Sequence, residues 1–249
     1  MTLPISGTPW PGVRYGCTTR AGGVSEHPWA SLNLALHVGD DPQAVRQNRQ
    51  RLEGGLPSAP CWLEQVHGTH VVELNGPSPS SIPRADAAIT VQTGCVLAIM
   101  TADCAPVVFA DSNGRAIGVA HAGWRGLAGG VLEATFAALT ARLPVARWRA
   151  WVGPCIGQAS FEVGAEVHQA FVETDIAAAD YFVPGRARGK WHADLGALAR
   201  HRLLAMGVAE VEVANLCTYE RADSFFSYRR ESTTGRMATL AWLDPPIAR

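Results

Sequence analysis

Short apolar runs separated by turn-forming residues fill much of the first half of the chain, and apolar positions at helical spacing recur in the second. Between residues 61 and 110 the runs CWLEQV, VVEL, AAITV, VLAIM and VVFA, broken by Gly, Pro, Asn and Ser, predict strands. The tetrapeptide DSNG at 111–114 joins VVFA to AIGVA as a predicted hairpin, because Asn-Gly readily supplies positive φ angles. Upstream, Asp41 and Pro42 read as the N-cap and first-turn residue of a helix that runs to Leu52, stops at Gly54 and Gly55, and carries a basic exposed face. Residues 127–143 place Leu127, Val131, Leu132, Phe136 and Leu139 on one face and predict a single helix, halted by Pro144. Trp148–Val152 reads as a strand followed by the tight turn GPCIG, residues 165–173 and 195–206 as helices, and residues near 211–213 and 237–243 as closing strands. Helices and strands mix without a regular βαβ alternation, which selects an α+β fold over a doubly wound parallel sheet.

Composition narrows the class. With 249 residues, 47% of them hydrophobic and 17% charged, the chain can bury a large core, and no Ser/Gly linker, charge run or internal repeat divides it. A single domain over residues 1–249 is expected. The formal net charge of −1 provides no diffuse electrostatic footprint for nucleic acid or an anionic membrane. The longest apolar stretch, residues 95–110, is interrupted by Thr101, Asp103 and Pro106 and falls short of the roughly 20 residues of a bilayer span. The N-terminal residues lack the basic-then-apolar order of a signal peptide, so a cytoplasmic location is expected. Six scattered cysteines do not form the dense pattern of a disulfide scaffold; they are expected as reduced thiols, mostly acting as small buried hydrophobes.

Candidate chemistry sits at the ends of the predicted hairpin. Cys104 in TADCAPV precedes its first strand and His121 in AHAGWRG ends its second, so antiparallel pairing brings the two together. A third donor, His67, follows the run CWLEQV. Cysteine and histidine are the residue types that ligate zinc or build a thiol nucleophile, and three convergent donors would make an open metal site. The spacing has none of the compactness of CxxC or HExxH motifs. His67 as a turn residue, His121 as a strand-end histidine bonded to a neighbour, and Cys104 as a nucleophile with His121 as its base all remain open at this level. His27, His37, His70, His168, His192 and His201 are read as surface or packing residues, and the eight tryptophans as core.

The segments QVHG, TADCAPV, AHAGWRG, WVGPCIG with FEVG, and CTYERADSFFSYRR with TGR resemble successive signatures of the laccase-domain family. Its members are also called YfiH-type proteins, polyphenol oxidase-like proteins or purine nucleoside phosphorylases. The resemblance runs from TRAGGVS at Thr19 to the end of the chain, and its mild departure is Ala105, where leucine is common. It implies a four-layer α/β/β/α fold with mixed sheets and a zinc site formed by His67, Cys104 and His121, with copper as the alternative ion. The implied reaction is phosphorolysis of adenosine, inosine and methylthioadenosine, with phosphate as co-substrate and adenosine deamination as a second activity. Alternatives are an editing hydrolase of the cell-wall precursor UDP-MurNAc-serine, a metal-free Cys-His hydrolase, or a copper polyphenol oxidase. Eight histidines with no His-x-His pair resemble a single-ion site more than a copper cluster.

Zinc-bound water would serve deamination directly; in phosphorolysis the metal would orient substrate or stabilise the departing base. Phosphate calls for guanidinium donors. The motif context nominates Arg20 and Arg229 first, then Arg230 and Arg236, all of which could equally be surface residues paired to carboxylates. Asn33 is nominated to bond a ribose or base edge, with an ordinary turn role as the alternative. Asp103, just before Cys104, is read as an acceptor behind the ligand or a strand-end cap.

Overall fold

The structure, a computed structural model, describes residues 3–76 and 81–245. In chain order its strands are β1 (Val13–Cys17), β2 (Val71–Glu73), β3 (Ala87–Thr90), β4 (Leu97–Thr101), β5 (Ala105–Asp111), β6 (Ile117–Ala122), β7 (Trp148–Val152), β8 (Glu162–Gly164), β9 (Phe182–Pro184), β10 (Lys190–Ala193), β11 (Glu210–Val213) and β12 (Met237–Leu243). The α-helices are α1 (Pro42–Glu53), α2 (Trp124–Gly129), α3 (Val131–Arg142), α4 (Ala165–Val172) and α5 (Leu195–Ala205). Among the described residues these strands form three sheets, ordered β11-β7-β5-β6-β3-β2, β1-β12-β4 and β8-β10-β9. The largest is mixed, with β11–β7 and β2–β3 parallel and its remaining pairs antiparallel.

Alternation along the central strands builds four layers. Val107 and Phe109 of β5 pack with Leu127, Val131 and Leu132 from α2 and α3 and with Leu198 and Leu203 of α5. The intervening Val108 and Ala110 face the other way, into a cluster with Leu97 and Ile99 of β4 and Met237 and Ala241 of β12. The opposite face of the three-stranded sheet, with Ala98, Leu240 and Trp242, packs on Leu52 of α1 and on Leu34. Helix, sheet, sheet, helix is therefore the order, the α+β architecture with mixed sheets that the resemblance implied. Strands buried on both faces read as continuous apolar runs. Burying one such large side chain contributes roughly 1.5–3 kcal/mol, and Phe109→Ala in this double-sided core would cost about 3–5 kcal/mol.

Local physics explains most elements and several departures. Asp41 caps α1 by accepting from Gln43 N at 2.9 Å, with Pro42 in the first turn. Its buried Asn48 donates to Ser25 Oγ, Ser31 O and Asn33 O and accepts from Val24 N, so this helix organises the 24–33 loop. The helix expected over 127–143 is broken in two at Gly130, which adopts φ +98° and closes α2 with bonds to Gly126 O and Leu127 O. CWLEQV, expected as a strand, forms only isolated bridges, Cys61 to Leu97 and Glu64 to Arg84. There the Gln65 side chain does the work of a backbone ladder, donating to Met100 O and accepting from Met100 N, each at 2.8 Å. Strands β1, β8, β9 and β10 lay outside the sequence reading; β1 pairs along its whole length with β12. None of the six cysteines is in a disulfide. Among the described residues no helix is long and apolar enough to cross a membrane.

Candidate metal centre and its cavity

The β5–β6 register pairs Pro106 with His121 and Ala105 with Ala122, which carries Cys104, one residue further out, to the same end of the sheet. His67 reaches that end from the loop behind Gln65, in a left-handed backbone conformation with φ +59°. One buried side chain fixes both histidines. The Asp86 carboxylate accepts from three successive backbone N–H groups, Val66 at 3.1 Å, His67 at 2.9 Å and Gly68 at 2.7 Å, and from His121 Nδ1 at 2.8 Å. With Nδ1 donating to Asp86, Nε2 is the nitrogen that faces the site, and it becomes a ligand when it gives up its proton.

The nitrogen and sulfur donors of His67, Cys104 and His121 all lie within 4.8 Å of one another, and Cys104 Sγ is 3.9 Å from His67 Nε2. Gly123 keeps the space between them open: a Cβ there would fall 2.9 Å from His67 Cδ2, 3.0 Å from Cys104 Sγ and 3.5 Å from His121 Nε2. Two imidazoles and one thiolate around a gap that a methyl group would fill suit a borderline divalent ion with one coordination position left open. Among the described residues this is the one group with three donors close enough to hold a metal.

Without metal, the electrostatics are those of a thiolate beside an imidazolium, a pair from which a bound ion displaces one proton. Burial pushes the Cys104 thiol up, but the imidazoles of His121 and His67 pull it further down, to about 6. Burial likewise opposes charge on His121, yet Cys104 and Asp86 raise it to about 9. For Asp86, burial disfavours ionisation, and the bonds from His121, Gly68 and Val66 outweigh it, leaving the carboxyl below its usual range. Near neutral pH the sulfur is thus a thiolate, the form that ligates metal.

The trio lines a cavity of about 440 Å³. Trp124 and Arg125 enter from the start of α2, Phe161 and Ile156 from one side, and Tyr228, Arg229 and Arg236 from the C-terminal segment. Neither Arg229 nor Arg236 has an ion-pair partner among the described residues. Arg229 is anchored by donation to Glu162 O at 2.8 Å and by the Phe161 ring, 5.3 Å away.

The other nominated residues are not brought to the cavity. Arg20 donates to Ala30 O and Ala222 O and lies over the Phe226 ring. Arg230 is consumed by three carbonyls, those of Thr218, Tyr219 and Phe225. Asn33 is fully buried, donating to Asp40 Oδ2 and Ala35 O and accepting from Ala35 N and Arg236 N, so it holds the backbone of a cavity arginine rather than facing the cavity. Sequence reasoning missed Asp86, whose only local signal is an acidic residue directly before the apolar strand AAIT. It also left His37 as a surface or packing residue, whereas it lines the cavity. His168 stacks on Trp191, and His201 bridges Asp175 and Tyr181.

The family described as multi-copper polyphenol oxidoreductase laccase matches residues 14–244. This chain belongs to it. A purine nucleoside phosphorylase of Pseudomonas aeruginosa is 49% identical over 94% of this chain and 96% of its own length. Purine nucleoside phosphorylase YfiH of Escherichia coli is 47% identical over 94% of this chain and 96% of its own. The crystal structure of a Neisseria meningitidis protein superposes with a TM-score of 0.89 at 46% identity, covering 98% of this chain and 100% of that one. The laccase label in the family's description sits beside a donor set suited to one ion: a copper cluster needs many imidazoles, and this site gathers two.

Proposed function

We propose that this chain is a zinc-dependent purine nucleoside phosphorylase acting on adenosine, inosine and methylthioadenosine, with adenosine deamination as a second activity. The observation that carries the reading is the opening of two guanidinium groups without carboxylate partners, Arg229 and Arg236, into the same cavity as the His67–Cys104–His121 trio. Relatives that match nearly end to end bear the phosphorylase name. A cavity of about 440 Å³ is within the range of small-molecule sites.

Each residue has a task in this reading. Arg229 and Arg236 bind the phosphate oxygens as fixed donor forks. Tyr228, Trp124 and Phe161 offer flat faces to the purine and exclude water. His67, Cys104 and His121 hold zinc, and Asp86 keeps both imidazoles aimed. When bound, the ion supplies Lewis acidity and lowers the pKa of a coordinated water. A cytoplasmic site of action fits six cysteines without a disulfide.

The test is product analysis by chromatography. Purified protein of measured metal content is incubated with adenosine or inosine, with and without inorganic phosphate. Free base appearing only with phosphate is the expected result; inosine formed from adenosine without phosphate reports deamination. No base released by the zinc-loaded protein refutes the phosphorylase reading. The 3.9 Å approach of Cys104 to His67 also suits a metal-free thiol nucleophile. That reading predicts rapid alkylation of Cys104 by iodoacetamide irrespective of zinc, whereas bound zinc should protect the sulfur. Oxygen consumption with a phenol would favour the copper oxidase.

A further inference from the structure

Asp103, between β4 and β5, adopts φ +92°. A residue with a Cβ holds that conformation only where its surroundings over-determine it. Here they do. The Asp103 carbonyl accepts from Ile156 N at 2.9 Å. Its carboxylate accepts from Thr218 Oγ1 at 2.7 Å on one oxygen, and from Ser227 Oγ at 3.0 Å and Arg229 N at 2.7 Å on the other. All three carboxylate bonds span more than a hundred residues of sequence, so the side chain serves the C-terminal segment and not its own turn. That segment is bonded to itself: Arg230 clasps the carbonyls of Thr218, Tyr219 and Phe225, and its N–H donates to Ser227 Oγ. Asp103 therefore staples a preassembled loop to the residue next to Cys104, at the point where the loop presents Arg229 to the cavity.

We propose that Asp103 is a positioning residue that sets Arg229, and with it the anion-binding corner of the cavity, at a fixed place relative to the Cys104 turn. Naming phosphate as the anion rests on the phosphorylase reading above. The geometry distinguishes this staple from the Asp86 bonds, which act on the two histidines and touch no arginine. Thr218 and Ser227 lie outside the cavity lining, so they can be altered without touching a bound molecule.

The experiment compares the zinc-loaded wild type with Thr218→Val, Thr218→Ser and Asp103→Asn. Binding of inorganic phosphate is measured by calorimetry, alongside zinc content, melting temperature and the KM values for phosphate and nucleoside. Loss of a hydrogen bond to a charged group is expected to weaken phosphate binding about ten-fold in Thr218→Val. Zinc content and nucleoside KM stay unchanged, and Thr218→Ser, which keeps the hydroxyl, binds phosphate within about two-fold of wild type. Asp103→Asn turns an amide NH2 toward at least one donor and is expected to weaken phosphate further. Three results overturn the inference: phosphate binding unchanged in Thr218→Val, zinc lost in step with phosphate, or no phosphate binding by the wild type. A wild type that binds phosphate but releases no base sinks the phosphorylase reading alone, because the binding measurement does not depend on turnover.

Discussion

Replacing Asp86 by asparagine leaves the shape of the buried side chain intact and removes its ability to accept on both ends. One carboxylate oxygen receives His67 N and His121 Nδ1, and the other receives Val66 N and Gly68 N. Whichever way the amide turns, its NH2 group meets two donors. Turned toward Val66 and Gly68, it unseats the His67 loop. Turned toward His121, it favours the imidazole tautomer with the proton on Nε2, the nitrogen needed for metal. Two buried donors left unsatisfied cost about 1–3 kcal/mol each, roughly 2–6 kcal/mol together. For a chain of this size, each kcal/mol lowers the melting temperature by about 2–4 °C, so the metal-free variant should melt roughly 10 °C lower near the middle of that range. Loss of a partner behind a metal ligand typically weakens metal affinity 10–100-fold, and that range is expected here. Competition with a chromophoric chelator measures the affinity, and calorimetry measures the melting temperature. Zinc affinity within about two-fold of wild type in a folded Asp86→Asn protein would refute the claim that this carboxylate aims the histidines.

Other outcomes follow from the same geometry. Gly123→Ala, at a backbone conformation that alanine adopts freely (φ −63°, ψ 155°), should retain the fold yet lose metal binding, because its Cβ occupies the gap among the donors; retained stoichiometric metal would contradict the placement. In metal-free protein the thiolate absorbance of Cys104 should rise with a midpoint near pH 6, well below the ordinary thiol value, and a midpoint above pH 8 would exclude pairing with the imidazoles. The lowered Asp86 carboxyl contributes stability that is present above the ordinary aspartate value and lost as pH falls through the lower folded value; the acid limb of urea midpoints should therefore flatten in Asp86→Asn. Arg229→Ala should raise the KM for phosphate about ten-fold or more, whereas Arg230→Ala should act mainly on melting temperature; equal kinetic effects would overturn the division between cavity and scaffold arginines.

The hairpin that carries Cys104 and His121 was legible because Asn-Gly turn chemistry and apolar strands are local signals, and α1 because its cap and first-turn proline are adjacent in sequence. Strand β1 was not read, although Val13, Tyr15 and Cys17 alternate with Arg14 and Gly16 at strand period: five residues are a short signal, and the strand's partner, β12, lies more than two hundred residues away. Residues 127–143 read as one helix because apolar spacing continues across Gly130, and only tertiary structure shows that this glycine takes a positive φ. The same limit applies to the site. Cysteine and histidine advertise their chemistry by residue type, whereas Asp86 and Asp103 act through partners supplied by distant segments. Arginine advertises charge but not its use: all four of these arginines donate to backbone carbonyls, yet only Arg229 and Arg236 line the cavity, and nothing in TRAGG, SYRR or TGR separates the two pairs.

No two of the three donors are near neighbours along the chain: Cys104 and His121 meet only when β5 pairs with β6, and His67 joins them only when its loop closes on Asp86. An unfolded polypeptide offers such an ion little beyond scattered single ligands, so nearly all of the binding free energy contributes to the native state and thermal resistance rises with the logarithm of free metal. If zinc is the ion as proposed, the durability of this protein should accordingly track its supply: protein prepared without metal would melt lower and unfold sooner than the loaded form.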